Sequence, residues 1–449
     1  MQIVVGGGLT GLFAARYLQS CGEKVILLEQ APELGGLFKG LPGPNGDSCE
    51  GNAFCIGIRY GLTTGVEAID TLLFEDADER YVSYTESLPE GNYYNGQLNN
   101  NTGCIDVRSL PPTLYQKGIV ELIEAEGVNG EEKNKREVLI NQYGKTFTEE
   151  VYGKAVKKIF GLSLEDFEVN GALSLISPRL VAFDSRASLE LKKVARLNGL
   201  LGYTKKTDNP QSEIKKYFPK NGSTGLWIRD LTQRIESNGG VIYSGVGIKS
   251  VQTSEGKVST VALDDGQELE CTNVIWTAPL IHLARLLDVT VPSERPRFLN
   301  TGIYNLVVDQ PPLSETHWIT VYDQEFKSYR LTLYSNISPV KDVGQGYRIS
   351  IEVLDEREIE EAELRIALRQ ELVDLGILPK GYKVLWDDFI EFPNAWPVSL
   401  TGKDFVDDQA QIIRKHVDNV FMTGRGIKGQ YFQLPILLHT HEMLSKHFG

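Results

Sequence analysis

The sequence predicts an α/β chain in two domains. One is built on a parallel sheet of βαβ units; the other is an α+β domain built on an antiparallel sheet. Three observations carry this. The stretch from Gln2 to Glu29 reads as strand, glycine turn, helix and strand. Residues 110–200 place apolar side chains at helical spacing, and residues 300–355 alternate with period two. A chain of 449 residues also exceeds the size at which a single core usually divides.

Gln2–Val5 is a short apolar strand that runs into Gly6-x-Gly8-x-x-Gly11. Leu12, Ala15 and Leu18 continue at helical spacing, and Gly22 is placed to end that helix. Lys24-Val-Ile-Leu-Leu28 is a second strand, finishing on Glu29. Each part has a physical task. Gly6 allows a tight turn, Gly8 lets backbone approach a pyrophosphate, and Gly11 lets helix and strand pack closely. Leu9 and Thr10 sit where the helix N-terminus presents free N–H groups and partial positive charge to phosphates. Glu29, 18 residues after Gly11, is placed to accept hydrogen bonds from a ribose diol. A glycine motif alone is weak evidence. Joined to its strands, helix and terminal acid, it predicts a Rossmann-like dinucleotide site.

Downstream of Glu29 the chain reads Gln30-Ala-Pro-Glu-Leu-Gly35-Gly36-Leu37-Phe38. A glycine pair there lets the chain double back where a side chain would collide. The arrangement resembles the flavoprotein group that includes amine oxidases, protoporphyrinogen oxidase, carotenoid-type desaturases and UDP-galactopyranose mutase. That resemblance implies FAD in a glutathione-reductase-type domain, with Gly35, Gly36 and Leu37 beside it. Further landmarks of the group follow in order. Tyr217-Phe-Pro-Lys-Asn-Gly-Ser-Thr-Gly225, a helix through Leu231 and Ile235, and Gly239 to Val251 resemble its second FAD segment, with Ile248 matching the adenine contact. Gly256, Asp265-Gly266 and Asn273-Val-Ile-Trp-Thr-Ala-Pro279 resemble the hairpin and strand that close it.

Near the C-terminus, Gly424-Arg425 resembles the opening of the group's last helix, and a second formal motif reads Gly424-Arg-Gly426-Ile-Lys-Gly429. Only twenty residues follow Gly429, too few for another βαβ unit of about thirty. The stretch reads as a helix N-terminus aimed at the flavin's pyrophosphate and pyrimidine edge, or as a plain helix cap. Gly424, Arg425 and Gln433 are the cofactor-side residues it supplies. The nucleotide domain is then expected at 1–90, 205–285 and 395–449, and the substrate domain at 91–204 and 286–394.

Composition narrows the partners. A formal charge of −14 argues against a nucleic-acid groove, which needs clustered Lys and Arg. The basic runs at Glu131–Arg136 and Lys154–Lys158 read as solvated surface. No apolar run approaches the roughly 20 residues of a membrane span. A first strand that begins at residue 2 leaves no room for a signal peptide, so a cytoplasmic location is expected. Cys21, Cys49, Cys55, Cys104 and Cys271 lack zinc-like spacing, the six histidines are scattered, and no metal site is expected. The oligomeric state is left open.

Departures from the group's patterns bear on chemistry. Amine oxidases often place a lysine on the first strand of the substrate sheet; here Tyr304 occupies that stretch. The mutases carry a histidine in the loop over the flavin, and Cys49-Glu-Gly-Asn52-Ala-Phe54 has none. They also end in a Gly-Arg pattern with two tyrosines and an acid. Here Tyr431 remains, Gly429 replaces the first tyrosine and Gln433 stands where the acid is expected. Arg330 is the candidate for gripping a diphosphate. Asn394-Ala-Trp396-Pro397 resembles the entry to the last FAD segment, so Trp396, Tyr431 and Phe432 are candidate walls of a dry slot, or ordinary core. Tyr431, Trp396 and Arg330 are therefore the catalytic candidates. The favoured reading is an FAD-dependent oxidoreductase acting on a small-molecule substrate. The alternatives are a flavin-dependent sugar-nucleotide mutase and a flavin-bearing protein without catalysis.

Overall fold

The computed structural model describes residues 1–57, 59–75, 77–84, 88–204, 214–292, 297–338, 346–354, 359–402 and 405–449. The chain forms two compact units. The first comprises Met1–Thr85, Glu213–Arg295 and Asp404–Gly449, the second Glu86–Ser212 and Pro296–Lys403. The first border falls earlier than the sequence suggests and the other three later. The last moves because residues 395–398 finish a long strand, Val384–Val398, that pairs within the second unit.

The first unit is organised by a five-stranded parallel sheet in the order Val241–Ser244, Val25–Glu29, Gln2–Val5, Asn273–Trp276, Val420–Met422. The opening strand is central. Gln2 lies opposite both Val25 and Asn273, so strands distant in sequence enter the turn region in step. Alternation then separates two cores. Val4, Leu27 and Ile275 face the helices Leu9–Ser20, Gly225–Ser237 and Gln433–Phe448, meeting Leu12, Leu231 and Leu437. Ile3, Val5, Ile26, Leu28, Val274 and Trp276 face the other way. There they meet Val258, Val261 and Leu263 of a three-stranded antiparallel sheet, Ile248–Ser254, Lys257–Leu263 and Glu268–Glu270. Burying each such Leu or Ile contributes about 1.5–3 kcal/mol. The three layers hold the strand ends, and hence the glycine turn, in place.

The second unit has a helical part and a sheet. Its helices include Pro112–Glu124, Lys135–Phe147 and Lys154–Phe160, with the π-helical turn Thr148–Gly153 between the last two. Its seven-stranded sheet runs Val384–Val398, Arg297–Val308, Tyr347–Leu354, Ser328–Leu333, Trp318–Val321, Glu90–Tyr94, Gln97–Asn99. The alternating stretches of 300–355 supply four of these strands, antiparallel in their pairings with one another. One face carries the unit's second apolar core. Tyr304, Leu306, Val308, Leu331, Ile349 and Ile351 pack with Leu364, Leu368 and Leu372 of the helix Glu361–Asp374. Among the described residues no helix is long and apolar enough to cross a membrane, and no cluster of His, Cys, Asp or Glu could hold a metal.

Candidate functional site

The glycine turn is built as three separate requirements. Gly6 has φ +104°, and a Cβ there would lie 2.4 Å from Thr277 Oγ1, whose hydroxyl donates to the Val5 carbonyl at 2.8 Å. A Cβ on Gly11 would lie 1.8 Å from the Gly6 carbonyl oxygen, so helix and strand touch backbone to backbone. A Cβ on Gly8 would meet nothing within 4 Å, since Gly8 borders open space. That space is a cleft of about 920 Å³. Gly6, Gly8, Leu9, Thr10, Glu29, Gly35, Leu37 and Ile248 line it, and so do Arg425, Tyr431 and Gln433.

Glu29 ends its strand at the cleft with both oxygens engaged. Oε2 accepts the Gly7 N–H at 2.5 Å and Oε1 accepts the Ala31 N–H at 2.8 Å. The turn and the acid are thereby locked together, and each carboxylate oxygen keeps a further lone pair. The glycine pair does double back. Gly35 N–H donates to the Gly7 carbonyl at 2.7 Å, and a Cβ on Gly36 would sit 3.4 Å from Gly8 Cα. Both residues have positive φ, +104° and +55°.

The C-terminal motif differs from the sequence expectation. Gly424 (φ +112°), Gly426 (+94°), Lys428 (+52°) and Gly429 (+65°) all leave the helical region. The last helix therefore starts only at Gln433, after the tight turn Ile427–Gly429. Gly424 is needed as glycine, because a Cβ would lie 2.9 Å from the Thr277 carbonyl oxygen. The Gln433 side-chain amide donates to the Leu62 carbonyl at 3.3 Å. Tyr431 is 40% exposed and Phe432 60%, so neither is core within this unit.

Sequence reasoning missed several groups. His282 and Arg285, on the short helix Leu280–Leu286, line the same cleft, as do Lys249 and Asp264. No motif signals them; only the packing of the antiparallel sheet and this helix brings them there. Asn52 and Gln430 are further finds. Asn52 Oδ1 and Gln430 Oε1 are buried acceptors without a protein partner. They lie in the loop Cys49–Phe54 and in the segment before the last helix. The five cysteines are free thiols.

Arg330 and Trp396 belong to the second unit. Trp396 pairs with Leu299 across two strands and packs, half-buried, against that unit's core. Arg330 is buried and paired in bidentate fashion with Glu352, Nε to Oε1 at 2.6 Å and Nη2 to Oε2 at 2.7 Å. Residues opposite each other in a sheet share a face. The register Asn305↔Ser350, Val307↔Arg348, Ile303↔Glu352, Thr332↔Ser350 and Thr320↔Arg330 therefore gathers a polar set on the face away from Tyr304. All of these polar groups are buried, and Asn305 Nδ2 and Thr332 Oγ1 have no protein partner. The strand expected to carry a lysine offers Asn305 to this face. Tyr304 points into the helix-covered side and donates to Asp387 Oδ2 at 2.7 Å.

Comparison with known proteins places this geometry. The family described as NAD(P)-binding Rossmann-like domain matches residues 4–50, the glycine turn through the glycine pair. No protein of curated function matches the chain in sequence. Among solved structures, reduced UDP-galactopyranose mutase aligns with TM-score 0.74 at 16% identity, covering 99% of this chain and 94% of that one. A protein of Exiguobacterium sp. provisionally named protoporphyrinogen oxidase aligns with TM-score 0.67 at 18% identity, covering 100% and 98%. A putrescine oxidase redesigned in its cofactor binding aligns with TM-score 0.60 at 13% identity, covering 99% and 98%. At these identities the likeness is one of fold: the chain shares the two-domain architecture of these three proteins over nearly its whole length.

Proposed function

We propose that this chain is an FAD-dependent oxidoreductase, of oxidase or desaturase type, acting on a small metabolite. The observation that carries the reading is the cleft joining the glycine turn, Glu29, Gly35 of the doubled-back pair, Ile248 and Arg425. Its dimensions and chemistry fit FAD. The open space at Gly8 admits a pyrophosphate, and the remaining lone pairs of Glu29 suit ribose hydroxyls. Bound FAD supplies two-electron chemistry by accepting hydride. Glu29, Ile248 and Arg425 would hold the cofactor, and Tyr431 would wall the slot and exclude water. A Gln at 433 and a histidine-free loop at 49–54 favour oxidation over sugar isomerisation.

One observation favours a second reading, a mutase-like isomerase. The polar face of the second unit's sheet, where Asn305 Nδ2 and Thr332 Oγ1 lack protein partners, suits a hydroxylated substrate better than a polyene. One experiment separates the two. Oxidised protein is mixed without oxygen with amines, amino acids and polyenes, and loss of the flavin's visible absorbance is followed. Bleaching by one of them is the expected result. Turnover only after dithionite reduction, with an isomeric nucleotide sugar as product, would reverse the choice. Wild-type protein that neither contains nor takes up FAD would end both.

A further inference from the structure

The second unit contains a separate cavity of about 380 Å³ at the edge of its sheet. We propose that it binds a neutral, polyhydroxylated small molecule of carbohydrate type. The floor comes from the hairpin strands Glu90–Tyr94 and Gln97–Asn99. Their register, Asn92↔Asn99 and Tyr94↔Gln97, puts these four side chains on one face. A wall comes from the turn Val107–Ser109, which follows Asp106 and carries Arg108.

The charges in this cavity are spent on each other. Arg108 Nε donates to Asp106 Oδ1 at 2.8 Å and Nη2 to Oδ2 at 2.6 Å, and Asn99 Nδ2 adds a bond to Oδ2 at 2.7 Å. An anionic ligand would need an uncompensated cation, and a cationic ligand an uncompensated carboxylate. The lining offers neither. An apolar ligand would bury the amides against nothing that can hydrogen-bond.

The amides, in contrast, have capacity left. Asn92 is buried, and its Nδ2 donates to the carbonyls of Thr102 and Cys104, both at 2.8 Å. Two acceptors on that side fix the amide's orientation, because the flipped form would set oxygen against oxygen. Asn92 Oδ1 is left as a buried acceptor with no protein donor. At the mouth, the exposed side chains of Gln97 and Asn101 are planar groups, each with a donor and an acceptor. Vicinal hydroxyls give and receive at the spacing such planar groups present. Tyr94, buried in the unit's core with its hydroxyl directed to the Glu150 carbonyl, closes the floor of the cavity.

The test uses full-length, cofactor-loaded protein and saturation-transfer NMR. D-glucose, D-galactose and D-mannose are the hexose probes, with acetate and tetramethylammonium as anionic and cationic probes. At least one hexose is expected to show saturable transfer that neither ion competes away. A Gln97→Leu, Asn101→Leu double variant changes only exposed side chains, and it should weaken that binding about tenfold with an unchanged thermal melt. No hexose signal, equal binding by the double variant, or displacement by either ion would overturn the proposal.

Discussion

One added carbon has opposite consequences at two glycines three residues apart. At Gly8 it enters open cleft, whereas at Gly11 it meets the Gly6 carbonyl oxygen at 1.8 Å. Gly8→Val is therefore expected to melt like wild-type apoprotein while losing FAD. Gly11→Ala should lower stability by about 1–3 kcal/mol or more through backbone overpacking. Thermal melts of the apoproteins, with flavin released on denaturation, check both. If Gly8→Val retains FAD, the cleft is not the pyrophosphate site. The same logic applies at the C-terminal motif. Gly424→Val would strain a residue at φ +112° against Thr277, so its loss of flavin would not be specific. Arg425→Ala is the cleaner probe, because its side chain lines the cleft and its backbone carries no positive φ. It should reduce FAD retention with little change in melt. Full retention would return Arg425 to a surface role.

At the scale of elements, three pieces of the second unit are tied at one carboxylate. Asp387 Oδ2, on the strand Val384–Val398, accepts from Tyr304 at 2.7 Å on the neighbouring strand. It also accepts from Arg365 at 2.7 Å and Arg369 at 2.8 Å on the helix Glu361–Asp374. Burial pushes this carboxyl's pKa up, but the bonds from Tyr304 and the two arginines outweigh it and hold the value below the ordinary range. A carboxyl depressed in the folded state stabilises the fold above its unfolded pKa of about 3.9. That contribution is lost as the pH falls through the lower, folded value. Asp387→Asn should thus cost about 1 kcal/mol at pH 7, a modest figure because Arg369 is partly exposed. The difference from wild type should shrink as pH drops below about 4. Urea melts at several pH values measure it, and a gap independent of pH would refute the assignment.

Over the whole chain, the first unit is assembled from three separated segments and the second from two. The sheet that shapes the glycine turn needs Gln2–Val5, Val241–Ser244, Asn273–Trp276 and Val420–Met422 together. The cleft is accordingly a property of the complete fold, and a ligand that fills it stabilises that fold by mass action. FAD at about 100 times its dissociation constant should add roughly 2.7 kcal/mol. The melt of apoprotein should therefore rise with FAD concentration, while NAD should leave it nearly unmoved. A shift with NAD and none with FAD would replace the cofactor reading.

The first strand, the glycine turn, Glu29 and the glycine pair were legible in sequence because their physics is local. Positive φ, backbone contact and alternation are each written in a few adjacent residues. The four strands of 300–355 were legible for the same reason. The start of the last helix was not, since four departures from helical φ between Gly424 and Gly429 obscure a formal motif. Nor could the sequence assign faces. Whether Tyr304 or Asn305 meets the polar side depends on register with strands some forty-five residues away, and one step of register exchanges them. The pairing of Arg330 with Glu352 and the placing of His282 and Arg285 on the cleft are likewise long-range packing results. By itself the sequence determined that a nucleotide turn exists and where its glycines lie. Tertiary structure decided which side chains share a cleft, because burial and register couple residues that no local pattern connects.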